Sequence, residues 1–223
     1  MRLSLSSDNI AFYISQQLNN FFPDTNKVEI ADLSEAVKTA LERVEYCFSK
    51  VSNTRYNNGS EPIYNHLYSD HNIVFYWFLS NSIWKETGNE ALASKLYYLN
   101  KVMHGFDCMY DTKLPDIFLV FHGVGTMLGK ATYSDFLVVM QGCTIGSNNG
   151  KYPILGKGVS LTANSSVIGN CTIGDLCTIS TGTLIFEKNM NSSETAFLNS
   201  HTGGIDIKLS KECYSKQFFR EHL

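Results

Sequence analysis

Histidine is the side chain best suited to moving protons near neutral pH, because its ordinary pKa is about 6.5 and small changes of environment carry it across the physiological range. The chain has six histidines. His66 and His71 stand near a predicted helix start with no partner evident. His104 falls at a predicted helix end, where it would meet the negative pole of the helix dipole. His201 lies in Ser200-His201-Thr202-Gly203-Gly204, which reads as a turn. His122, in His122-Gly123-Val124-Gly125, stands where the residue pattern of the chain changes, and from its surroundings alone it reads as a histidine closing the first turn of a coil. The cysteines form no CxxC pair, and Cys171 and Cys177 are only one six-residue step apart, so no spacing of His and Cys predicts a metal site and six free thiols in a reducing compartment are expected.

The elements that must position these residues fall into two halves. The chain has 223 residues, 43% of them hydrophobic, which suffices for a packed core, and only 17% charged. Its net charge of −3 offers no basic footprint for nucleic acid or an anionic membrane. The richest apolar stretch, residues 72–80, is too short to span a bilayer, and the first residues lack the apolar run of a signal peptide, so a cytoplasmic protein is expected. In the first half, Val28, Ile30, Leu33, Val37, Leu41, Val44, Phe48 and Val51 recur mostly at spacings of three and four, the stripe of an amphipathic helix. Further helices are predicted over 8–21, 68–85 and 89–104, with a loop over 53–60. The run Phe75-Tyr76-Trp77-Phe78 reads as a packed helix interface.

From about residue 123 the period changes to six. Leu155, Leu161, Val167, Ile173, Ile179 and Ile185 follow one another at that interval, and the residues four after the first five (Val159, Ser165, Cys171, Cys177 and Thr183) are small or β-branched. A continuous flat sheet has period two, whereas a triangular coil with three six-residue sides turns one apolar residue inward per side and closes every 18 residues. Ile145, Val139 and Tyr133 extend the series backward, but Ile145 and Leu155 are ten apart, so the polar segment 147–153 is expected to loop out.

Hexads of this kind resemble the left-handed parallel β-helix of the hexapeptide acyltransferases, and over residues 65–186 the chain resembles the bacterial serine acetyltransferases. The residues that carry the likeness are the helix from Ala91 to Val102 followed by Gly105-Phe106-Asp107, the aspartate Asp107 fifteen residues before His122, Gln141 to Gly146 (QGCTIG), and Val167-Ile168-Gly169-Asn170. The resemblance implies an α+β chain: an α-helical domain over 1–105, a left-handed β-helix over 106–186 and a C-terminal tail over 187–223, in which residues 205–209 read as a short strand. It implies a CoA-dependent acetyltransferase with acetyl-CoA as co-substrate and no metal. His122 would be the general base and Asp107 its orienting partner. Chemically the pair suits the task, since a neutral imidazole takes the hydroxyl proton as the thioester carbonyl is attacked, and a carboxylate on its other nitrogen fixes the tautomer. Fifteen residues is close to one coil, so the two side chains are expected to meet. Asp111 and Asp116 compete for the orienting role, though polar-loop acids mostly face solvent. Thr144, Gly146, Ala163 and Thr181 would lie beside the cofactor. A homotrimer, with a hexamer as a further possibility, is implied by the family.

Three positions depart from the family pattern. The loop that ordinarily ends in arginine and histidine before a proline ends here in Lys151 and Tyr152 before Pro153, and the residue before the histidine, commonly an aspartate, is Phe121. Lysine lacks the bidentate fork of arginine, and tyrosine is no base near neutral pH. With Phe121, Lys151 and Tyr152 as its substrate-binding residues, the site is expected to take a less charged acceptor, a saccharide of a surface glycan. L-serine is the alternative acceptor, an amino sugar acetylated on nitrogen a further one, and a non-catalytic trimeric assembly module the reading from another class.

Overall fold

The computed structural model describes residues 1–221 of the chain. Its helical half comprises α1 (Ser7–Phe21), α2 (Ile30–Ser49), α3 (Ser69–Thr87) and α4 (Glu90–His104), close to the predicted spans. Ser6 caps α1 by accepting the Asn9 N–H, Asn89 caps α4 by accepting that of Leu92, and Gly88 and Gly105 end α3 and α4 in left-handed conformations. The stripe of α2 is buried at Leu33, Val37, Leu41, Val44 and Phe48. Helix α3 has no polar face: every residue from Asp70 to Ile83 is buried, because α2 and α4 pack on it and it also rests on the solenoid. The aromatic run is therefore core, as expected. A short parallel pair, β1 (Arg2–Leu3) and β2 (Ile63–Tyr64), ties the N-terminus to the segment before α3.

From Phe106 the chain winds as a solenoid through β3 (Phe106–Asp107), β4 (Phe118–Val120), β5 (Thr126–Leu128), β6 (Leu137–Val139), β7 (Thr144–Gly146), β8 (Ile154–Leu155), β9 (Ser160–Leu161), β10 (Ser166–Ile168), β11 (Thr172–Ile173), β12 (Thr178–Ile179), β13 (Leu184–Phe186) and β14 (Glu194–Leu198). These strands stack in parallel on three sides. The first side carries β3, β5, β7, β10 and β13; the second carries β8 and β11; the third carries β4, β6, β9, β12 and β14. The hexad residues Leu155, Leu161, Val167, Ile173, Ile179 and Ile185 point inward, none more than 1% exposed, and the small residues four places on share the core.

The solenoid continues past Phe186, where the sequence predicts a tail. Met190 bridges to Ile173 on the second side, and β14 pairs with β12 on the third. Met190 and Ala196 take the inward places, but a five-residue step from Ile185 and two atypical residue types hide the repeat. The strand expected at 205–209 is present as β15 (Ile205–Leu209), which turns back antiparallel on β14. A 3₁₀ turn, Tyr214–Phe218, then crosses the third side toward the helical half, where Arg220 donates to the Val51 carbonyl at 2.9 Å and the Asn57 side chain at 2.8 Å. Among the described residues no helix is long and apolar enough to cross a membrane.

Stacking is tightest at the corner between the second and third sides. A Cβ on Gly174 would lie 2.4 Å from the Ser192 nitrogen and 2.8 Å from the Asn191 carbonyl carbon, both backbone atoms that no rotamer change can move. Gly174→Ala is therefore expected to destabilise the chain by about 1–3 kcal/mol, read as a lower urea midpoint. An unchanged midpoint would show that the coils have room to separate.

Candidate active site

The corner that holds His122 has more chain than the coil needs. Val120 is in register with Val139 and Met127 with Thr144, so the six residues from Phe121 to Thr126 face only the four from Met140 to Cys143. Two residues are extra. The ladder shows which: Phe121 donates to the Val139 carbonyl and Gly142 to that of Val124, leaving His122 and Gly123 outside. The Val124 N–H returns to the His122 carbonyl at 2.6 Å, a three-residue turn, and His122 takes φ +54°, a left-handed conformation that costs a non-glycine residue energy. Gly123 lets α3 approach closely here, since a Cβ would lie 2.6 Å from the end of the Ile73 side chain and push it aside.

The backbone N–H of His122, which has no partner in the coil, is taken by the Oδ1 of Asp70 at 3.1 Å. Asp70 is in the first turn of α3, where the helix dipole favours an anion. Burial raises its pKa above the ordinary value, and the His122 N–H and the nearby charges of His122 and Arg55 partly offset the rise. The His122 residue itself is exposed. It opens into a cleft of about 220 Å³ built from three parts of the chain: Asn53, Arg55, Tyr68 and Asp70 from the helical half, Phe121, His122 and Met140 from the solenoid, and Tyr214 and Phe218 from the C-terminal segment. Arg55 is set by a local turn, since the Asn53 side chain accepts its backbone N–H at 2.9 Å, and its guanidinium donates to the Tyr68 hydroxyl at 3.3 Å.

The structure gathers some of the sequence-predicted residues and separates others. Phe121 lines the cleft, but as wall: its ring packs on Phe218 at 4.7 Å and on Tyr56 at 5.9 Å. Asp107 does not meet His122 within the chain. Its strand lies under β5 in register with Met127, beyond the corner, and its carboxylate accepts from Tyr97 and Lys101 of α4, each at 2.7 Å. These two partners hold its pKa below the ordinary value against desolvation. Lys151 and Tyr152 also stand away from His122, at the corner between the first and second sides. The expected loop is a tight hairpin there: Asn148 and Lys151 exchange backbone bonds around Asn149 and Gly150, both at positive φ. Ala163 and Thr181 lie in a groove of about 590 Å³ that also takes in Thr162, Phe197, Met140 and Tyr214, whereas Thr144 and Gly146 are on the adjoining first side. His104 is not a charged helix-end residue. It is buried, bonded to Asn100 at 2.8 Å and pushed down to about 4 by desolvation, hence neutral. Asp111 pairs with Lys130 at 3.1 Å. All six cysteines are buried free thiols, and among the described residues no cluster of His, Cys, Asp and Glu can hold a metal ion.

No family model matches the chain. A serine acetyltransferase of Synechococcus elongatus is 28% identical over 95 residues, which is 40% of this chain and 39% of that protein. Serine acetyltransferase 2 of Arabidopsis thaliana is 25% identical over 114 residues, 49% of this chain and 35% of that one. The matches thus span little more than a third of either relative. Among solved structures, the serine acetyltransferase of Neisseria gonorrhoeae covers 93% of this chain and 79% of its own with a TM-score of 0.68 at 17% identity. That of Brucella abortus strain S19 in complex with coenzyme A covers 94% and 84% with a TM-score of 0.67 at 16% identity. The fold, a helical half leading into a left-handed parallel β-helix, is the one those proteins have.

Under the cleft His71 is packed among Phe48, Tyr56, Tyr64 and Tyr68, and burial pushes its pKa from 6.5 down to about 3. As pH falls from 6.5 toward 3 the unfolded chain binds a proton here that the folded chain refuses, so stability present above 6.5 is lost on acidification. Unfolding free energies measured at pH 7.5 and 4.5 should show this loss, and His71→Gln should show a smaller one. Equal slopes would place the His71 proton elsewhere.

Proposed function

We propose that the protein is an acetyl-CoA-dependent O-acetyltransferase that acts on L-serine, with His122 as general base. The observation that carries the acceptor is the cleft around His122, which holds an arginine and a carboxylate beside the base. A zwitterionic hydroxy-amino acid presents a carboxylate for Arg55, an ammonium for Asp70 and a hydroxyl for His122. An ammonium also favours the ionised form of Asp70 that burial disfavours. The saccharide acceptor rested on the replacement of charge by Phe121 and Tyr152, with Lys151 standing in for a bidentate arginine. Arg55 and Asp70 supply that charge from the helical half, and the serine acetyltransferase relatives support the same acceptor.

In the reaction, the neutral imidazole of His122 removes the serine hydroxyl proton as the oxygen attacks the thioester carbonyl. The carbon–oxygen bond forms, the carbon–sulfur bond breaks, and the proton passes to the departing thiolate to give free CoA. The groove beside Ala163 and Thr181 offers the space for CoA, a reading supported by the CoA complex of the Brucella abortus relative. Asp70 acts on the base through the backbone, keeping the bulged corner in place. Met127, Leu184 and Phe186 stand exposed along the first side and suit contact with a second copy in a trimer. Lys151, Tyr152, Thr144 and Gly146, which stand away from His122 within the chain, would reach an active site only across such a contact.

CoA release from acetyl-CoA and L-serine tests the reading. His122→Ala should lower kcat/KM by about 10²–10⁴-fold. Arg55→Ala should raise the KM for serine with a smaller change in kcat, as expected when binding shared by ground and transition states is removed. A chain inert toward L-serine but active on a sugar would restore the saccharide acceptor.

A further inference from the structure

The cleft at His122 and the groove beside Ala163 have two residues in common, Met140 and Tyr214. The two come from opposite directions. Met140 follows β6 at the level of Phe121, and Tyr214 opens the 3₁₀ turn of the C-terminal segment. They meet, the Tyr214 hydroxyl lying 3.6 Å from the Met140 sulfur. The contact therefore marks the boundary between the acceptor space and the donor space. In the transfer, the CoA sulfur lies on the groove side and the attacking oxygen on the His122 side, so the carbonyl carbon that joins them must sit at this boundary and its alkyl group must fit against these two side chains.

We propose that Met140 and Tyr214 select the acyl group, admitting acetyl and rejecting longer chains; the inference rests on the O-acetyltransferase reading. Methionine alone is a compliant wall, since its unbranched chain repacks readily. Tyr214 is not compliant. Its backbone N–H is bonded to the Thr178 hydroxyl at 3.2 Å, and its ring packs edge-on against Phe218 at 5.3 Å, which itself rests on Phe121. The adjoining Cys213 is buried, donating to the Gly158 carbonyl at 3.1 Å. A longer acyl chain would have to displace a ring packed on Phe218.

The test compares kcat/KM for acetyl-, propionyl- and butyryl-CoA with L-serine, using the full chain. Wild type should prefer acetyl-CoA. Tyr214→Ala and Met140→Ala should each raise the butyryl-to-acetyl ratio by about tenfold or more, the scale on which one or two methylenes are discriminated in a fitted pocket. Tyr214→Phe, which keeps the ring, should retain the wild-type ratio. Should Tyr214→Ala unfold, as judged by its thermal transition, Met140→Ala decides alone. An active wild type whose acyl preference is unmoved by the alanine substitutions overturns the assignment of Met140 and Tyr214 and leaves the O-acetyltransferase reading standing. A wild type that releases no CoA from acetyl-CoA with any hydroxyl acceptor overturns both.

Discussion

Surplus residues at a corner of such a coil leave backbone groups that the ladder does not pair, and something else must take them up. At the His122 corner that partner is the Asp70 carboxylate, which reaches from the first turn of α3 to the His122 N–H. One bond thus does two things. It satisfies a donor that the ladder has abandoned, does so at a residue in the left-handed region, and joins the helical half to the solenoid at His122. The Ile73 side chain of α3 packs over Gly123 beside it. His122 therefore belongs to the junction of the two halves and to neither alone.

The solenoid was legible because its constraint is periodic. Each side must turn an apolar residue inward, and Leu155 through Ile185 state that requirement six times without interruption. Where the requirement is met by Met190 and Ala196 after a five-residue step, the period disappears from the sequence although the coil goes on. The helices were legible for a related reason, their stripes and caps being local. Asp70 and Arg55 were not. One is an ordinary first-turn acid, the other a polar residue in a loop, and nothing within a few positions of either refers to His122, 52 residues after Asp70. The spacing from Asp107 to His122 counted residues correctly but assumed that strand and corner align; the register puts Asp107 under Met127 instead.

Charge in this molecule is sparse and concentrated by folding. Residues 123–186 carry only Lys130, Asp135, Lys151, Lys157 and Asp175, and none of these lines the cleft. The ions beside His122 come from elsewhere in the chain, Asp70 buried and Arg55 exposed at the mouth of the cleft. That is why a site can look depleted of charge along the sequence and still be strongly polar in three dimensions.

The C-terminal segment has a consequence for how the molecule is assembled. Arg220 bonds to Val51, 169 positions earlier, and Phe218 packs on Phe121, so the cleft is enclosed by some of the most distant pairings in the chain. Contacts of that separation carry a large loop-closure cost and form after local ones. The helices and coils rest on local contacts, while the cleft is complete only with the C-terminal segment laid across the third side. The cleft is thus closed by the least local contacts of the chain, and a chain without its C-terminal segment would expose His122 without the walls that Tyr214 and Phe218 supply.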